Sequence, residues 1–91
     1  MVLEIYATIL ALIATIVGSI STIGYFTQIF KIVKRKSSAD VSILTYMLFL
    51  TAAFVWLLYG LTINSLPLLI TNAIVIIGAF SVIVTSMYYK K

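Results

Sequence analysis

Two long stretches of the chain carry no charged residue and are strongly apolar. The first runs from Ile5 to Phe30, 26 residues, and the second from Val41 to Tyr89, 49 residues. At 1.5 Å per residue, the second stretch would form a helix of about 73 Å, more than twice the roughly 30 Å of a hydrocarbon core. It must therefore fold back on itself across the bilayer.

Only residues 64–67, Asn-Ser-Leu-Pro, are typical of a turn within the second stretch. Pro67 suits the first turn of a new helix, where its missing N–H is no loss. The pattern therefore predicts an all-α membrane protein, with the whole chain, residues 1–91, forming a single three-helix transmembrane bundle. Its predicted spans are residues 5–30, 41–63 and 67–87.

The composition agrees with this class and excludes several kinds of chemistry. The chain is 64% hydrophobic and 9% charged, with a mean hydropathy of +1.26, whereas a soluble domain needs a far more charged surface. It contains no cysteine and no histidine, which excludes disulfides, thiolate metal sites and the commonest metal ligand. We expect no catalytic residue, no metal and no cofactor, and hence a protein that is not an enzyme.

The charges of the chain predict its orientation. The six cations form two clusters, residues 31–36 and Lys90-Lys91, which three spans place on the same side of the membrane. The positive-inside rule makes that side the cytoplasm, so we expect a multi-pass protein of the cell (inner) membrane with its N-terminus outside and its C-terminus inside. Such clusters are expected to touch anionic lipid headgroups, not nucleic acid. A cleaved signal peptide is disfavoured, because residues 1–4 carry no cation.

The second and third predicted spans each carry one side chain suited to binding a ligand. Trp56 lies seven residues before Ile63, and Asn72 lies five after Pro67, so both sit about 8–11 Å below the same surface. One interpretation is a binding site with an indole face and a carboxamide at matching depth. The alternatives are a Trp56 packed in the bundle and an Asn72 that only hydrogen-bonds a neighbouring helix.

The spans contain no Asp, Glu, Lys, Arg or His. Ion-coupled carriers and charge-selective channels usually need such a group within the membrane, so both classes are disfavoured. A neutral polar and aromatic cavity suits a neutral polyhydroxylated ligand, because an aromatic face covers C–H groups and an amide both donates and accepts hydrogen bonds. Without a titratable coupling group, transport is expected to run downhill.

In the first span, small residues recur at spacings of three and four: Ala7, Ala11, Ala14, Gly18, Ser21 and Thr22. From Gly18 the stripe becomes polar and continues through Tyr25 to Gln28. Close packing against another helix explains the small residues, while Gln28 either faces this polar stripe or meets interfacial water. Asp40 and Ser42 are both candidates for the N-cap of the second helix.

These residues resemble those of the SemiSWEET family, the bacterial half-size relatives of SWEET sugar transporters with the PQ-loop three-helix fold. The motifs that carry the resemblance are Tyr25-Phe26-Thr27-Gln28, Asp40-Val41-Ser42 followed by Tyr46, Trp56-x-x-Tyr59-Gly60 and Pro67-Leu68-Leu69-Ile70-Thr71-Asn72. The resemblance implies a parallel homodimer that carries a sugar along its shared axis by rocking of the two bundles. It also implies that Trp56 and Asn72 of both subunits hold the sugar, with Tyr59 closing the extracellular side and Tyr25 the cytoplasmic side.

The chain departs from the family pattern in two respects. The Pro-Gln pair appears here as Thr27-Gln28, so the hinge of the first helix is expected to depend on Gly24, or on Thr27 bonding back to a carbonyl. Many relatives carry an Arg and an Asp near the outer gate, where this chain has Ile63 and Ser65. Outer closure is therefore expected to depend on Tyr59 and apolar contact.

The leading hypothesis is a transporter that moves a neutral, glucose- or sucrose-like sugar by facilitated diffusion. A holin-like protein, which would oligomerise into lesions that leak unrelated solutes, is the first alternative, and the short basic tail disfavours it. A structural subunit of a larger membrane complex is the second alternative.

Overall fold

A computed structural model describes residues 1–90 and folds them into four α-helices. In chain order these are α1 (Val2–Ser21), α2 (Ile23–Arg35), α3 (Ile43–Thr62) and α4 (Leu66–Tyr88). Together α1 and α2 form the first apolar segment, and α3 and α4 are the second and third. Over the described residues, the three-span, all-α architecture predicted from the sequence is confirmed. Lys91, part of the second basic cluster, lies outside the described residues.

The helices follow the predicted spans closely, except that α2 continues about five residues past residue 30 and ends at Arg35. Its last turn carries Lys34 and Arg35, whose charges are favourable at the negative end of the helix dipole. An uncharged run marks the part of a chain that can lie in lipid, whereas a helix ends where its backbone changes conformation. Here that change occurs at Lys36, whose φ of 56° lies in the left-handed region.

The first span is interrupted at Thr22, between α1 and α2. The Thr22 N–H donates to Ser19 O (3.3 Å), and the Tyr25 N–H donates to Thr22 O (3.0 Å). The Thr22 hydroxyl also donates to Ser19 O (2.5 Å). Bonds that reach back three residues tighten a turn toward 3₁₀ geometry, and hydroxyl bonding to a preceding carbonyl bends helices. The span is therefore two helices that meet at a buried threonine.

Helix α4 lies between the other spans. It packs against α1, α2 and α3, whereas no Cα of α1 or α2 comes within 8 Å of a Cα in α3. The small core follows this order, because its buried apolar side chains are two from α4 and one each from α2 and α3: Ala79, Val82, Ile32 and Ala53. The Cα atoms fill a slab of 56 × 22 × 14 Å, with the spans side by side and a gap between the first and the second.

Glycines let α4 approach its neighbours closely. A methyl group built on Gly18 of α1 would lie 2.7 Å from Thr71 Cγ2, and one on Gly60 of α3 would lie 2.9 Å from Leu68 Cβ. One built on Gly78 would lie 2.9 Å from Cγ of Tyr25. Helices in lipid associate through such close packing, since the lipid is as apolar as their own side chains.

The loop between α2 and α3, residues 36–42, binds the end of α4. The hydroxyl of Ser38, a buried residue, donates to Ser86 O (2.8 Å), and the Ser38 N–H donates to Tyr89 O (3.1 Å). Carbonyls that the last turn of a helix leaves without partners are thereby satisfied. We call this side of the molecule the loop end and the opposite side, at residues 63–65, the hairpin end.

The two candidates for the N-cap of α3 have different roles in the structure. The Ser42 hydroxyl accepts from the Thr45 N–H (3.2 Å) and is the cap. Asp40 pairs instead with Arg35, whose guanidinium donates to it across the loop. This hydrogen bond holds the pKa of the Asp40 carboxyl below its usual value of 3.8.

At the hairpin end, the chain reverses in three residues. Asn64 adopts a φ of 53°, which asparagine tolerates better than most residues. The Ser65 hydroxyl accepts from the Leu68 N–H (3.4 Å), and Pro67 follows in the first turn of α4, as predicted. Ser65 therefore serves as the N-cap of α4.

Candidate functional site

Three aromatic side chains meet across the gap between the first and second spans. Tyr25 of α2 faces Tyr46 and Phe49 of α3, with ring centroids 5.8 and 6.5 Å away. The Tyr46 and Phe49 rings lie 5.7 Å apart, and all three pairs are edge to face, the geometry that ring quadrupoles favour. We call these residues the aromatic cluster. It joins two spans whose backbones do not touch.

Helix α4 packs against the aromatic cluster at Tyr25. The ring of Tyr25 rests on Gly78, where any side chain would displace it. The sequence places Tyr25 on the polar stripe of the first span, but only the packing of α2 against α4 sets the position of its ring.

An open pocket of about 280 Å³ lies beside the cluster, lined by Ser21, Gly24, Tyr25, Tyr46 and Phe49. Hydroxyl groups belong to three of its five residues, and a phenol both donates and accepts hydrogen bonds. Within residues 1–90, no atom outside the local helix lies within 4 Å of a methyl group built on Gly24, so this part of the pocket is wide. The pocket therefore combines aromatic faces with hydroxyl groups.

Trp56 and Tyr59 form a second aromatic group nearer the hairpin end. Their ring centroids are 6.0 Å apart at 76°, and with Val55 they line an open pocket of about 370 Å³. Trp56 is 52% exposed and Tyr59 51% exposed within the single chain. The indole is therefore not packed inside the three-span bundle of this chain.

Asn72 lies at the same depth as Trp56, on the neighbouring helix. The contact between Gly60 and Leu68 joins α3 to α4, and each candidate residue is four positions, about 6 Å, further into the membrane. Asn72 is half-buried, and its amide N–H donates to Leu68 O (2.8 Å). The pocket at Trp56 is not lined by Asn72. A shared binding site for the two residues stays a prediction.

The residues expected to form the hinge of the first span lie in α2, just after the break between α1 and α2. The Thr27 hydroxyl donates to Ile23 O (3.1 Å), the back-bond expected from the sequence, while Gly24 is exposed and Gln28 half-buried. The interruption itself lies at Thr22, which sequence reasoning placed only on the packing face. The signal that could have indicated it is the Ser21-Thr22 pair, three and four residues after Gly18, because Ser and Thr hydroxyls that bond back to a carbonyl bend helices.

Sequence reasoning also missed Tyr46 and Phe49 as partners of Tyr25. The signal is their spacing on α3, since Tyr46, Phe49 and Trp56 recur at intervals of three and seven residues, which keeps them on one side of a helix. Contact with Tyr25 was not visible from spacing, because it depends on how the first and second spans flank α4.

Comparisons with known proteins agree with this architecture. The profile of the family described as sugar efflux transporter for intercellular exchange (MtN3) matches residues 6–91. The fold is similar to the crystal structure of a bacterial homologue of SWEET transporters, with a TM-score of 0.83 and 32% identity, covering 89% of this chain and 98% of that chain.

Two curated relatives are similar along nearly their whole length. The sugar transporter SemiSWEET of Bradyrhizobium diazoefficiens is 27% identical over 81 residues, covering 89% of this chain and 94% of that protein. The sugar transporter SemiSWEET of Leptospira biflexa is 27% identical over 79 residues, covering 87% and 88%. With this fold, these motifs and this coverage, the chain belongs to the SemiSWEET family of sugar transporters, which are membrane proteins and not enzymes.

Proposed function

We propose that the protein is a sugar uniporter, which carries a neutral mono- or disaccharide downhill across the membrane as a homodimer. The observation that carries the proposal is the half-exposed indole of Trp56, at the depth of Asn72 and within spans free of charge. An indole face covers the C–H face of a pyranose, and the Asn72 amide has acceptor capacity left for a sugar hydroxyl.

A second copy of the chain would complete the site. The spans form a slab only 14 Å thick, so one chain cannot surround a sugar. Trp56 and Tyr59 both expose about half their surface. In a parallel dimer, the equivalent face of the partner covers these rings and places a second indole and amide opposite the first pair.

Alternating access then needs one closure on each side of the sugar. We assign the inner closure to Tyr25 within the aromatic cluster, which lies about 10–15 Å from Trp56 along α3 toward the loop end. We assign the outer closure to Tyr59, which lies beside Trp56 and nearer the hairpin end. Bending in the first span, near Thr22, Gly24 and Thr27, allows α1 and α2 to move separately.

The loop end faces the cytoplasm in this proposal, and the protein lies in the cell membrane with its N-terminus outside. Four cations lie in or near the loop between α2 and α3, and Lys90 is at the same end. The hairpin end, with Asn64 and Ser65, carries no lysine or arginine, and Glu4 in the first turn of α1 lies on that side. This asymmetry is the one that the positive-inside rule associates with a cytoplasmic loop.

Uptake of labelled glucose and sucrose into proteoliposomes tests the proposal. Replacing Trp56 by Ala is expected to lower uptake at least tenfold, which corresponds to about 1.4 kcal/mol of binding. Asn72→Ala is expected to lower uptake about three- to tenfold, because it removes one or two hydrogen bonds to the sugar. Phe54→Ala is the matched control, since Phe54 is a large exposed side chain of α3.

Unchanged uptake in both the Trp56 and the Asn72 variants would remove the proposed site. An equal loss of uptake in the Phe54 variant would show that the substitutions act by impairing folding and not by removing sugar contacts. Leakage of unrelated solutes from the same vesicles would favour a holin-like pore, and failure to cross-link as a dimer would contradict the shared pathway.

A further inference from the structure

An apolar groove runs between α3 and α4 toward the loop end, outside the candidate pathway. Its volume is about 480 Å³, larger than the pocket beside the aromatic cluster. Three side chains from each helix line it, Ile43, Met47 and Leu50 from α3 and Phe80, Ile83 and Met87 from α4. Nothing in the proposed transport cycle uses this groove.

The groove lies on a different side of α3 from Phe49 and Trp56, because each of its α3 residues is at least about 100° around the helix from both. Met47 comes two positions before Phe49, which turns its side chain about 200° around the helix. A dimer that joins through the face of Phe49 and Trp56 therefore leaves this side toward lipid. The groove also contains two methionines, whose flexible side chains adapt to irregular apolar shapes.

Lys90 stands at the end of the groove and, within residues 1–90, is the only charged residue that lines it. It follows the end of α4 at Tyr88, at the membrane surface, while the other six lining residues lie at acyl-chain depth. The two acidic side chains of the protein are committed elsewhere. Asp40 pairs with Arg35, and Glu4 lies in the first turn of α1, at the hairpin end of the molecule. Lys90 therefore offers its charge to a ligand.

We infer that the groove binds an anionic phospholipid of the leaflet at the loop end, with one acyl chain between α3 and α4 and the phosphate at Lys90. A basic group beside a cleft between membrane helices suits an anionic headgroup, and six apolar side chains suit a hydrocarbon chain. A zwitterionic lipid fills the same cleft but gains less from the cation. The inference does not depend on what the protein transports.

Native mass spectrometry of the protein in neutral detergent, titrated with phosphatidylglycerol and with phosphatidylcholine of identical chains, tests the inference. One phosphatidylglycerol per chain is expected to bind about fivefold more tightly than phosphatidylcholine, the effect of one lysine near the surface. Lys90→Gln is expected to abolish this preference. Lys31→Gln, which removes an equal charge from the same end but outside the groove, is expected to keep it.

A second variant tests the groove without changing charge. Ile83→Trp fills the space between the helices and is expected to lower the binding of both lipids. The inference is overturned if Lys90→Gln keeps the preference, if Lys31→Gln loses it equally, or if Ile83→Trp binds both lipids like the wild type. Displacement of the bound lipid by soluble glycerol phosphate would also overturn it, since the headgroup alone would then account for binding.

Discussion

Gly78 and Gly24 both lie close to Tyr25, but a side chain at Gly78 would be crowded and one at Gly24 would not. A methyl group on Gly78 would meet Cγ and Cβ of Tyr25 at 2.9 and 3.0 Å, a ring already held against two others. A methyl group on Gly24 would meet nothing within 4 Å. The first glycine allows contact between spans, whereas the second leaves space.

Gly78→Ala is therefore expected to destabilise the protein by about 1–3 kcal/mol, because the helices or the ring must shift to avoid overpacking. Gly24→Ala is expected to stabilise it by up to about 1 kcal/mol, since alanine is the better helix former and fits without contact. Reversible unfolding in mixed micelles measures both values. Equal effects of the two substitutions would contradict the close approach of Tyr25 to Gly78.

At the scale of elements, the loop between α2 and α3 is tied to the end of α4 by one buried serine. The Ser38 hydroxyl and N–H donate to the carbonyls of Ser86 and Tyr89, whereas the hydroxyl of its neighbour Ser37 accepts from the Ala39 N–H (3.3 Å) within the loop. The loop thus links the end of the first span and the start of the second to the end of the third.

Ser38→Ala is expected to cost about 1–3 kcal/mol, because a buried carbonyl at the end of α4 loses its partner. Ser37→Ala is the matched control and is expected to change stability by less than about 0.5 kcal/mol. Hydrogen exchange at the C-terminal turn of α4 is expected to rise only in the Ser38 variant. A rise in both variants would show that the loop is held by other contacts.

The two helix boundaries within the apolar stretches differ in how well the sequence predicts them. The turn at residues 64–67 is visible because Asn64 and Pro67 act locally, through a left-handed φ and a missing N–H. The interruption at Thr22 is harder to predict, because threonine forms regular helices as well. Its hydroxyl bond to Ser19 O and its burial against the bundle decide the local geometry.

At the scale of the whole molecule, the protein confines its charges to its ends. Residues 5–30 and 41–89 include no Asp, Glu, Lys or Arg, and the chain has no histidine at all. The pKa of Asp40, in the loop, is lowered by the hydrogen bond from Arg35. Because the pKa of Asp40 is lowered, its ion pair with Arg35 is intact above the usual pKa of 3.8 and is lost only as the pH falls below that value.

Sugar uptake is therefore expected to change by less than about twofold between pH 5.5 and 8, since histidine is the side chain that normally titrates there. Asp40→Asn is expected to leave this flat profile in place, because the pair is exposed and lies outside the spans. Counterflow rates in proteoliposomes held at equal pH on both sides give the measurement. A bell-shaped or sloping profile would reveal a proton-coupled step and contradict uniport.

The placement of Trp56 and Asn72 at one depth was predictable because it has local causes, whereas their joint binding of a sugar stays a prediction. Trp56 and Asn72 stand out as a large aromatic and an amide within apolar helices, and their common depth follows from counting residues back to one turn. The aromatic cluster was not predictable in the same way. Tyr25 and Tyr46 belong to spans whose Cα atoms stay more than 8 Å apart, and only the central position of α4 brings their rings together.

The sequence by itself determined that the chain crosses the membrane three times, because uncharged length and backbone satisfaction in lipid leave helices as the solution. It also determined which residue types are available to a ligand. The tertiary structure decided the order of the spans, the break at Thr22 and the contacts around Gly78, since each depends on close packing between distant segments. Periodicity specifies faces along one helix, but packing alone specifies which faces meet.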